Sequence, residues 1–242
     1  MAFSNTVILR EDVAEDLTIE LNAPVRRIEL DDNGVRVMTA DTAFEADKVL
    51  VTVPLGVLKS GDVEFDPPLP QAKQQAMDRL GFGTLNKIAL HYPERFWPAE
   101  QYVFGYLCRE TDGHPTVVIS MWKSHDKPIL VLLLGASLGR ALESWSDQQV
   151  HDYSTTVVRD IFGPDAPAPQ RISRTAWSSD PYARGSYAGV GVVASPYDFD
   201  ADAEPAGDRR ACRSVYPRRG SRLCRSEKVI AKVTGSVRTS AL

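Results

Sequence analysis

The 242-residue sequence contains only three cysteines and no long apolar run. Cys108, Cys212 and Cys224 are too few and too irregularly spaced for a disulfide framework or a zinc site, so we expect a reducing, cytoplasmic location. The longest apolar run, residues 129–136, is less than half of the roughly 20 residues that a helix needs to cross a bilayer. The sequence therefore predicts neither a secreted disulfide scaffold nor a membrane protein.

Several common signatures of enzyme sites are missing as well. His91, His114, His125 and His151 show no HxxxH, HExxH or CxxC spacing, so we predict no metal site. The sequence has no Gly-x-Ser-x-Gly nucleophile elbow and no Walker-type phosphate loop. Its composition, with 43% hydrophobic and 25% charged residues, is typical of a globular protein and excludes a disordered chain.

The net charge of −4 is the sum of an acidic N-terminal part and a basic C-terminal segment. Residues 208–242 contain ten of the 28 Lys and Arg but only two of the 32 Asp and Glu, which gives +8. The first 207 residues therefore carry −12. A basic tail that binds nucleic acid is one interpretation, but Tyr216 is its only aromatic residue for stacking, and the rest of the chain is acidic. We expect no nucleic acid partner.

The N-terminal third alternates in the manner of β-strands. Asn33-Gly34 supplies the positive backbone angles of a tight turn, so residues 25–39 predict a β-hairpin. The run KVLVTV at residues 48–53 is apolar over most of its length, which predicts a strand buried on both faces, as in a parallel sheet. Residues 17–21 and 42–46 show the same strand pattern.

The rest of the chain predicts further strands and two helices. A helix is expected at residues 71–80, and a longer one after Ser146, which forms a capping-box pair with Gln149. Strands are expected at residues 85–92, 102–108, 116–122, 129–134 and 171–177, the last returning toward the first sheet. The predicted fold class is α/β.

Three longer motifs indicate a family. They are ADKVLVTVPLGVLK at residues 46–59, LGFGTLNKIAL at 80–90 and WSSDPYARGSY at 177–187. Their order and spacing resemble those of flavin-containing amine oxidases, especially the polyamine oxidase and histone lysine demethylase branch. The resemblance covers residues 15–207.

The resemblance implies part of an FAD-binding Rossmann-like domain and a substrate-binding domain made of a mixed sheet flanked by helices. It predicts a partial FAD-binding domain at residues 1–58, a substrate-binding domain at 59–172 and a return to the first domain at 173–209. Its members hold the FAD diphosphate with a GxGxxG unit, which does not precede Val25 here.

The C-terminal segment departs from the family pattern. Residues 204–209, EPAGDR, match it, but the Arg- and Cys-rich residues 210–242 do not. A shifted reading frame of GC-rich DNA produces a composition of this kind, and a genuine alternative ending is the other interpretation. We therefore expect a fragment whose basic tail is disordered and which is inactive on its own.

The resemblance also assigns roles to individual residues, written here in this sequence's numbers. Lys87 matches a catalytic lysine that holds a water beside the flavin. Tyr187 matches an aromatic that guides the amine, and Trp177 and Tyr182 line the same region. The residues matched to the cofactor site are Val25, Thr52, Pro54 and Leu55. The expected cofactor is FAD, and the expected partners are a small amine, polyamines being favoured, and molecular oxygen.

Each of these residues also has an ordinary structural explanation. A strand lysine usually faces solvent, large aromatics fill cores, and β-branched residues pack in strands. Two alternatives to the oxidase therefore stay open: a non-catalytic remnant of the fold, and an FAD-dependent desaturase or protoporphyrinogen oxidase relative. The lysine in GFGTLNK argues against the second.

Overall fold

A computed structural model describes residues 20–32, 34–107 and 115–203, together with the backbone of residues 211–213 and 229–232. The chain separates into two compact units. Among the described residues, the hairpin unit comprises those from 20 to 82, Pro181–Arg184 and those from Ala188 onward, and the five-strand unit comprises those within Gly83–Asp180 and Gly185–Tyr187. Helices and strands occur in both, which confirms the α/β class. The predicted FAD-binding and substrate-binding domains, with their boundaries, stay predictions.

The hairpin unit begins with a small mixed sheet. Its elements are β1 (Arg27–Leu30), β2 (Val35–Met38), β3 (Ala43–Ala46), β4 (Lys48–Val51), α1 (Leu55–Ser60), β5 (Glu64–Asp66) and α2 (Gln71–Arg79). The sheet order is β3-β2-β1-β5, with β1 antiparallel to β2 and parallel to β5. The predicted hairpin is confirmed, and Gly34 is required there because it has φ +155° and a Cβ would lie 2.6 Å from the Ala46 carbonyl oxygen.

Two apolar clusters stabilise the hairpin unit. The larger consists of Ile28, Val35, Val37, Val49, Val51, Val53, Val57 and Val63, and the smaller of Leu55, Met77 and Leu80. The predicted helix is confirmed as α2. It ends where Lys59 Nζ donates to the carbonyl oxygens of Met77 (2.9 Å) and Leu80 (2.8 Å), which satisfies acceptors that a helix end leaves unpaired.

The five-strand unit follows β6 (Gly81–Gly83) and is built on one antiparallel sheet. Its elements are β7 (Leu85–His91), β8 (Val103–Leu107), β9 (Pro115–Ser120), α3 (Trp122–His125), β10 (Ile129–Gly135), α4 (Ala136–Ala141), a 3-10 turn (Leu142–Ser144), α5 (Asp147–Phe162) and β11 (Arg171–Arg174). The sheet order is β11-β7-β10-β9-β8. The predicted capping box is confirmed, with Ser146 and Gln149 each accepting from the other's backbone N–H at the start of α5.

One core fills the space between this sheet and α5. Alternate residues of β7 and β10, among them Ile88, Leu90 and Leu132, are fully buried, and they lie in one cluster with Val157 and Val158 of α5. The alternation is that of a sheet with one face on a core.

The expected partner of the last strand is wrong. Residues 171–177 predict a strand that returns toward the first sheet, whereas β11 pairs antiparallel with β7 in the five-strand unit. The pattern of side chains specifies an extended segment but not which edge it joins. Here the edge of β7 accepts it, and the strand ends at Arg174.

The C-terminal elements are β12 (Tyr187–Gly189), which pairs with β6, and α6 (Tyr197–Ala203). The strands β13 (Ala211–Arg213) and β14 (Val229–Lys232) lie parallel to β4, one on each side. The predicted parallel environment of the apolar strand β4 is therefore confirmed. The expectation that residues 210–242 are disordered is wrong for 211–213 and 229–232, which form these two strands. The rest of that tail and the predicted strand residues 17–19 lie outside the described residues.

Candidate active site

Lys87 lies in the middle of β7, on the face opposite the core. Its neighbours Asn86 and Ile88 are completely buried, whereas Lys87 itself is half-buried. Both polar groups of its backbone bond to Thr175, whose hydroxyl accepts from the Lys87 N–H (2.9 Å) and whose N–H donates to the Lys87 carbonyl (3.0 Å). The cross-strand partner of Lys87 in β10 is Leu133. A lysine in this position covers its aliphatic stem on a rigid strand and carries its ammonium group at the outer end of that stem.

The side chain of Asn86 links β7 to three other segments. Its Nδ2 donates to the Gly139 carbonyl and to Glu143 Oε1, both at 2.7 Å. Its Oδ1 accepts from the Thr175 hydroxyl (2.9 Å) and from the Trp177 N–H (3.1 Å). All four hydrogen-bonding positions of the amide are therefore used, as a fully buried amide requires.

Glu143 holds the turn that follows Trp177. Its carboxylate accepts from the backbone N–H groups of Ser178 and Ser179 (2.8 Å each) and from the Ser179 hydroxyl, besides the bond from Asn86. Burial by itself would raise the pKa of Glu143, but the hydrogen bonds from Ser179, Asn86 and Ser178 together keep that pKa below its ordinary value. The carboxylate is therefore held ionised as an acceptor.

The motif 177–187 is anchored at further points within the five-strand unit. The hydroxyls of Ser178 and Thr84 are 2.6 Å apart, and the Gly185 N–H donates to the Trp177 carbonyl (2.8 Å). Ser186 accepts the Leu85 N–H (2.6 Å) on its hydroxyl. The backbone around Trp177 and before Tyr187 is thus tied to the start of the Lys87 strand.

The aromatic residues differ in exposure. Trp177 is half-buried, whereas Tyr187 in β12 is 60% exposed. An exposed Tyr187 does not fill a core in this structure, which removes its ordinary structural explanation. Tyr182 is half-buried and belongs to the Pro181–Arg184 segment of the hairpin unit. The structure therefore brings Lys87, Trp177 and Tyr187 into one unit and places Tyr182 in the other.

The predicted cofactor residues all lie in the hairpin unit. Val25 is half-buried against the valine cluster, and Leu55 is 3% exposed at the start of α1. The Thr52 side chain is exposed at the end of β4, and the Pro54 carbonyl accepts from the first turn of α1. Val25 and Leu55 thus have packing roles whatever they bind.

The glycine after Leu55 shows how tightly this region is packed. A Cβ on Gly56 would lie 2.6 Å from Phe82 Cε1 and 2.7 Å and 2.9 Å from the carbonyl oxygens of Arg184 and Ala183. All three family motifs therefore meet at this glycine inside the hairpin unit, and only a residue without a side chain fits there.

These residues fit part of FAD. Thr52, an exposed polar residue directly after the apolar strand β4, suits the edge of a planar cofactor, because such sites combine apolar walls with a few polar groups. Residues 20–32, 34–107 and 115–203 contain no glycine-rich turn between a strand and a long helix, the feature that binds a dinucleotide diphosphate. The described residues thus offer FAD an apolar strand end with a polar residue beside it.

Other kinds of site find no support in the described residues. They contain no group of three or more His, Cys, Asp or Glu that could hold a metal ion. In the same part of the chain, the helices are too short or too polar to cross a bilayer. An open groove lined by residues 99–100 and 122–126 includes none of the predicted site residues.

Sequence reasoning missed Asn86, Thr175 and Glu143. A signal for Asn86 existed, since it occupies a core-facing position in the alternation of β7, where an unpaired amide would be costly. Glu143 follows a short helix in a polar stretch and offered no such signal.

Comparisons with known proteins identify the family of this chain. The model of the family described as flavin containing amine oxidoreductase matches residues 9–213. Lysine-specific histone demethylase 1 homolog 1 of Arabidopsis thaliana is 37% identical over 203 residues, 82% of this chain and 24% of that protein. Protein FLOWERING LOCUS D of the same plant is 35% identical over 207 residues, 84% of this chain and 26% of that protein.

Solved structures show the same fold at lower identity. Putrescine oxidase bound to putrescine matches with a TM-score of 0.65 at 21% identity, over 84% of this chain and 44% of that one. Cyclohexylamine oxidase from Brevibacterium oxydans matches with a TM-score of 0.62, also at 21% identity, over 79% and 42%. The chain spans about a quarter of the curated relatives and less than half of the solved structures. It belongs to the flavin-containing amine oxidoreductase family, whose cofactor is FAD.

Proposed function

We propose that this chain forms the substrate-side part of an FAD-dependent amine oxidase acting on a primary or secondary amine. The observation that supports the proposal most is the position of Lys87, half-buried on β7 with its backbone fixed by Thr175. When bound, FAD would supply the acceptor for a hydride from the carbon beside the amine, with reoxidation by O2 to give H2O2. The imine product is then hydrolysed to an aldehyde.

In this proposal Lys87 holds a water beside the hydride-accepting nitrogen of the flavin. An ammonium fixed on a strand is preorganised for that task, because the backbone does not have to move when charge develops. Lys87 is the residue to which we assign a catalytic role.

The aromatic residues select and orient the amine. Trp177 is fixed through its backbone, and the exposed ring of Tyr187 is accessible to a ligand. Aromatic faces attract ammonium groups and stack on flat apolar chains, so a slim amine suits them. Tyr182 joins them in this role by resemblance. Thr52, Pro54, Leu55 and Val25 contact the cofactor.

Two classes of amine are candidates. A polyamine is one, and a structural relative of this chain is a putrescine oxidase bound to putrescine. A methylated lysine side chain in a protein is the other, and the relatives at 35 to 37% identity include proteins named as histone demethylases. Spermidine and a peptide with monomethyl-lysine separate the two classes when they are compared as reductants.

The test uses a flavin-loaded enzyme, in which this chain is joined to the nucleotide-binding and C-terminal segments of a relative and saturated with FAD. We expect the flavin absorbance near the visible maximum to bleach when amine is added without oxygen, and H2O2 to form when air is admitted. FAD that binds but stays oxidised with every amine would contradict the proposal. Failure to bind FAD would favour the non-catalytic remnant.

A further inference from the structure

Two polar side chains connect the Lys87 strand to the turn that contains Trp177. Asn86 directly precedes Lys87, is completely buried and accepts the Trp177 N–H. Glu143 accepts the next two backbone N–H groups, those of Ser178 and Ser179, at 2.8 Å each. Because Asn86 and Glu143 also bond to each other at 2.7 Å, three successive amides of the 177–179 turn converge on one pair of side chains.

The donors around the Glu143 carboxylate are neutral. The ion pairs found among the described residues do not include Glu143. A carboxylate partly removed from water needs strong donors, and here they come from Asn86 and from the turn itself. Two of these donors are backbone N–H groups, so the carboxylate fixes where the chain runs after Trp177.

We infer that Asn86 and Glu143 are positioning residues that hold the 177–179 turn at a fixed place beside the strand of Lys87. The inference rests on the proposed function, since Lys87 and Trp177 take their roles from it. Neither Asn86 nor Glu143 needs to touch the amine. They act through the turn's backbone, which sets where the Trp177 ring stands relative to the lysine.

The conservative variant Glu143→Gln separates this role from simple space filling. Each oxygen of Glu143 accepts two hydrogen bonds, so whichever oxygen becomes an NH2 group faces two donors. The side-chain volume is unchanged, but in either orientation of the new amide one backbone N–H, that of Ser178 or that of Ser179, loses its acceptor, whereas the Ser179 hydroxyl can turn to accept. A role in positioning predicts a loosened turn, whereas a role in filling space predicts no change.

Hydrogen exchange of the full chain measures the turn directly and needs no flavin. In Glu143→Gln we expect the amides of residues 177–179 to exchange at least ten times faster than in the wild type. The exchange rates of the β10 amides should change less than twofold. Unchanged exchange at 177–179, or an equal acceleration in β10, would overturn the inference, because the second result shows a general loss of stability.

Two further variants serve as a control and as a milder test of the same hydrogen bonds. Glu94→Gln removes an exposed carboxylate of the same unit and should leave exchange at 177–179 unchanged. Ser179→Ala removes only one of the four donors at an exposed position, so it should fold even where Glu143→Gln does not. We expect exchange at 177–179 to rise a few-fold in Ser179→Ala. No rise there would likewise contradict the inference.

The flavin-loaded enzyme supplies the functional readout. A displaced Trp177 turn weakens amine positioning, so Glu143→Gln should raise the KM for the amine about tenfold or more and leave FAD content unchanged. Normal KM and kcat in Glu143→Gln would overturn the inference while the proposed function stands. If the wild type oxidises no amine, the proposed function fails, and the exchange data alone decide whether these residues hold the turn.

Discussion

The two units of this protein are stabilised in different ways. The five-strand unit has one cluster of 16 buried residues, whereas the hairpin unit has two clusters of eight and three. Ion pairs occur at the surface of both units, such as Arg184 with Asp62 at 2.6 Å in the hairpin unit and Arg174 with Asp147 at 3.3 Å in the five-strand unit, and they contribute little to stability. The buried polar network beside Lys87 lies in the unit with the larger core. That core therefore supports the candidate site, while the predicted cofactor residues depend on smaller clusters.

The largest effect on stability is expected in the core of the five-strand unit. Leu132 is completely buried there, so Leu132→Ala leaves a cavity and should lower the free energy of unfolding by about 2 to 5 kcal/mol. Urea denaturation followed by tryptophan fluorescence measures it, because all four tryptophans lie in this unit. Val193→Ala, at a position 75% exposed, serves as the control and should change little. Equal effects would contradict the assignment of the core.

A smaller effect is expected where the hairpin unit is most crowded. Gly56→Ala forces a Cβ against Phe82 and two carbonyl oxygens, and such overpacking costs about 1 to 3 kcal/mol. The loss should appear in denaturation followed by circular dichroism. Gly189→Ala is the matched control, since nothing lies within 4 Å of a Cβ there. If both variants unfold at the wild-type urea concentration, the close packing at Gly56 is not maintained in solution.

How much of this organisation follows from the sequence depends on the kind of feature. The hairpin of β1 and β2 and the helix after Ser146 follow from local rules, because turn geometry and capping involve residues close together in the chain. The partner of β11 does not, since an extended segment can join any free edge. Its pairing with β7 depends on contacts about 80 residues apart in sequence.

The candidate site shows the same limit. Lys87, Trp177 and Tyr187 are recognisable because they stand in motifs that resemble a family. The pair Asn86 and Glu143 is recognisable only in three dimensions, because its hydrogen bonds join residues 86, 143 and 175–179. A sequence can indicate a buried asparagine from its place in a strand, but not the carboxylate that completes its hydrogen bonds.

The exposed aromatic of the five-strand unit should affect substrate binding rather than folding. Tyr187 is 60% exposed, so Tyr187→Ala should leave the free energy of unfolding nearly unchanged. In the flavin-loaded enzyme it should raise the KM for the amine, because an aromatic contact with a cation contributes about 0.5 to 2 kcal/mol. Steady-state kinetics measure this change, and the reaction of the reduced flavin with oxygen serves as the internal control. An unchanged KM would exclude Tyr187 from the substrate site.

The smallest effect concerns the pH dependence of stability. The pKa of Glu143 is below its ordinary value of 4.5 in the folded protein, so its ionised form stabilises the fold above that pH. This contribution should be lost as the pH falls through the lowered pKa. The difference in unfolding free energy between the wild type and Glu143→Gln, measured by tryptophan fluorescence, should be constant from pH 7 to 5 and shrink below pH 4.5. If this difference in unfolding free energy grew as the pH fell, folding would raise the pKa of Glu143, which would contradict the lowered pKa.

The replacement of Lys87 tests the central assignment most directly. Lys87→Met keeps the length and apolar stem of the side chain and removes the ammonium group, so folding and FAD content should persist in the flavin-loaded enzyme. Stopped-flow absorbance should show that flavin reduction or reoxidation slows about 10²- to 10³-fold, the usual effect of losing a preorganised polar group beside developing charge. Lys127→Met, at an exposed position of the same unit, should react at the wild-type rate. Wild-type rates of both half-reactions in Lys87→Met would show that the lysine is an ordinary strand residue and would contradict the account.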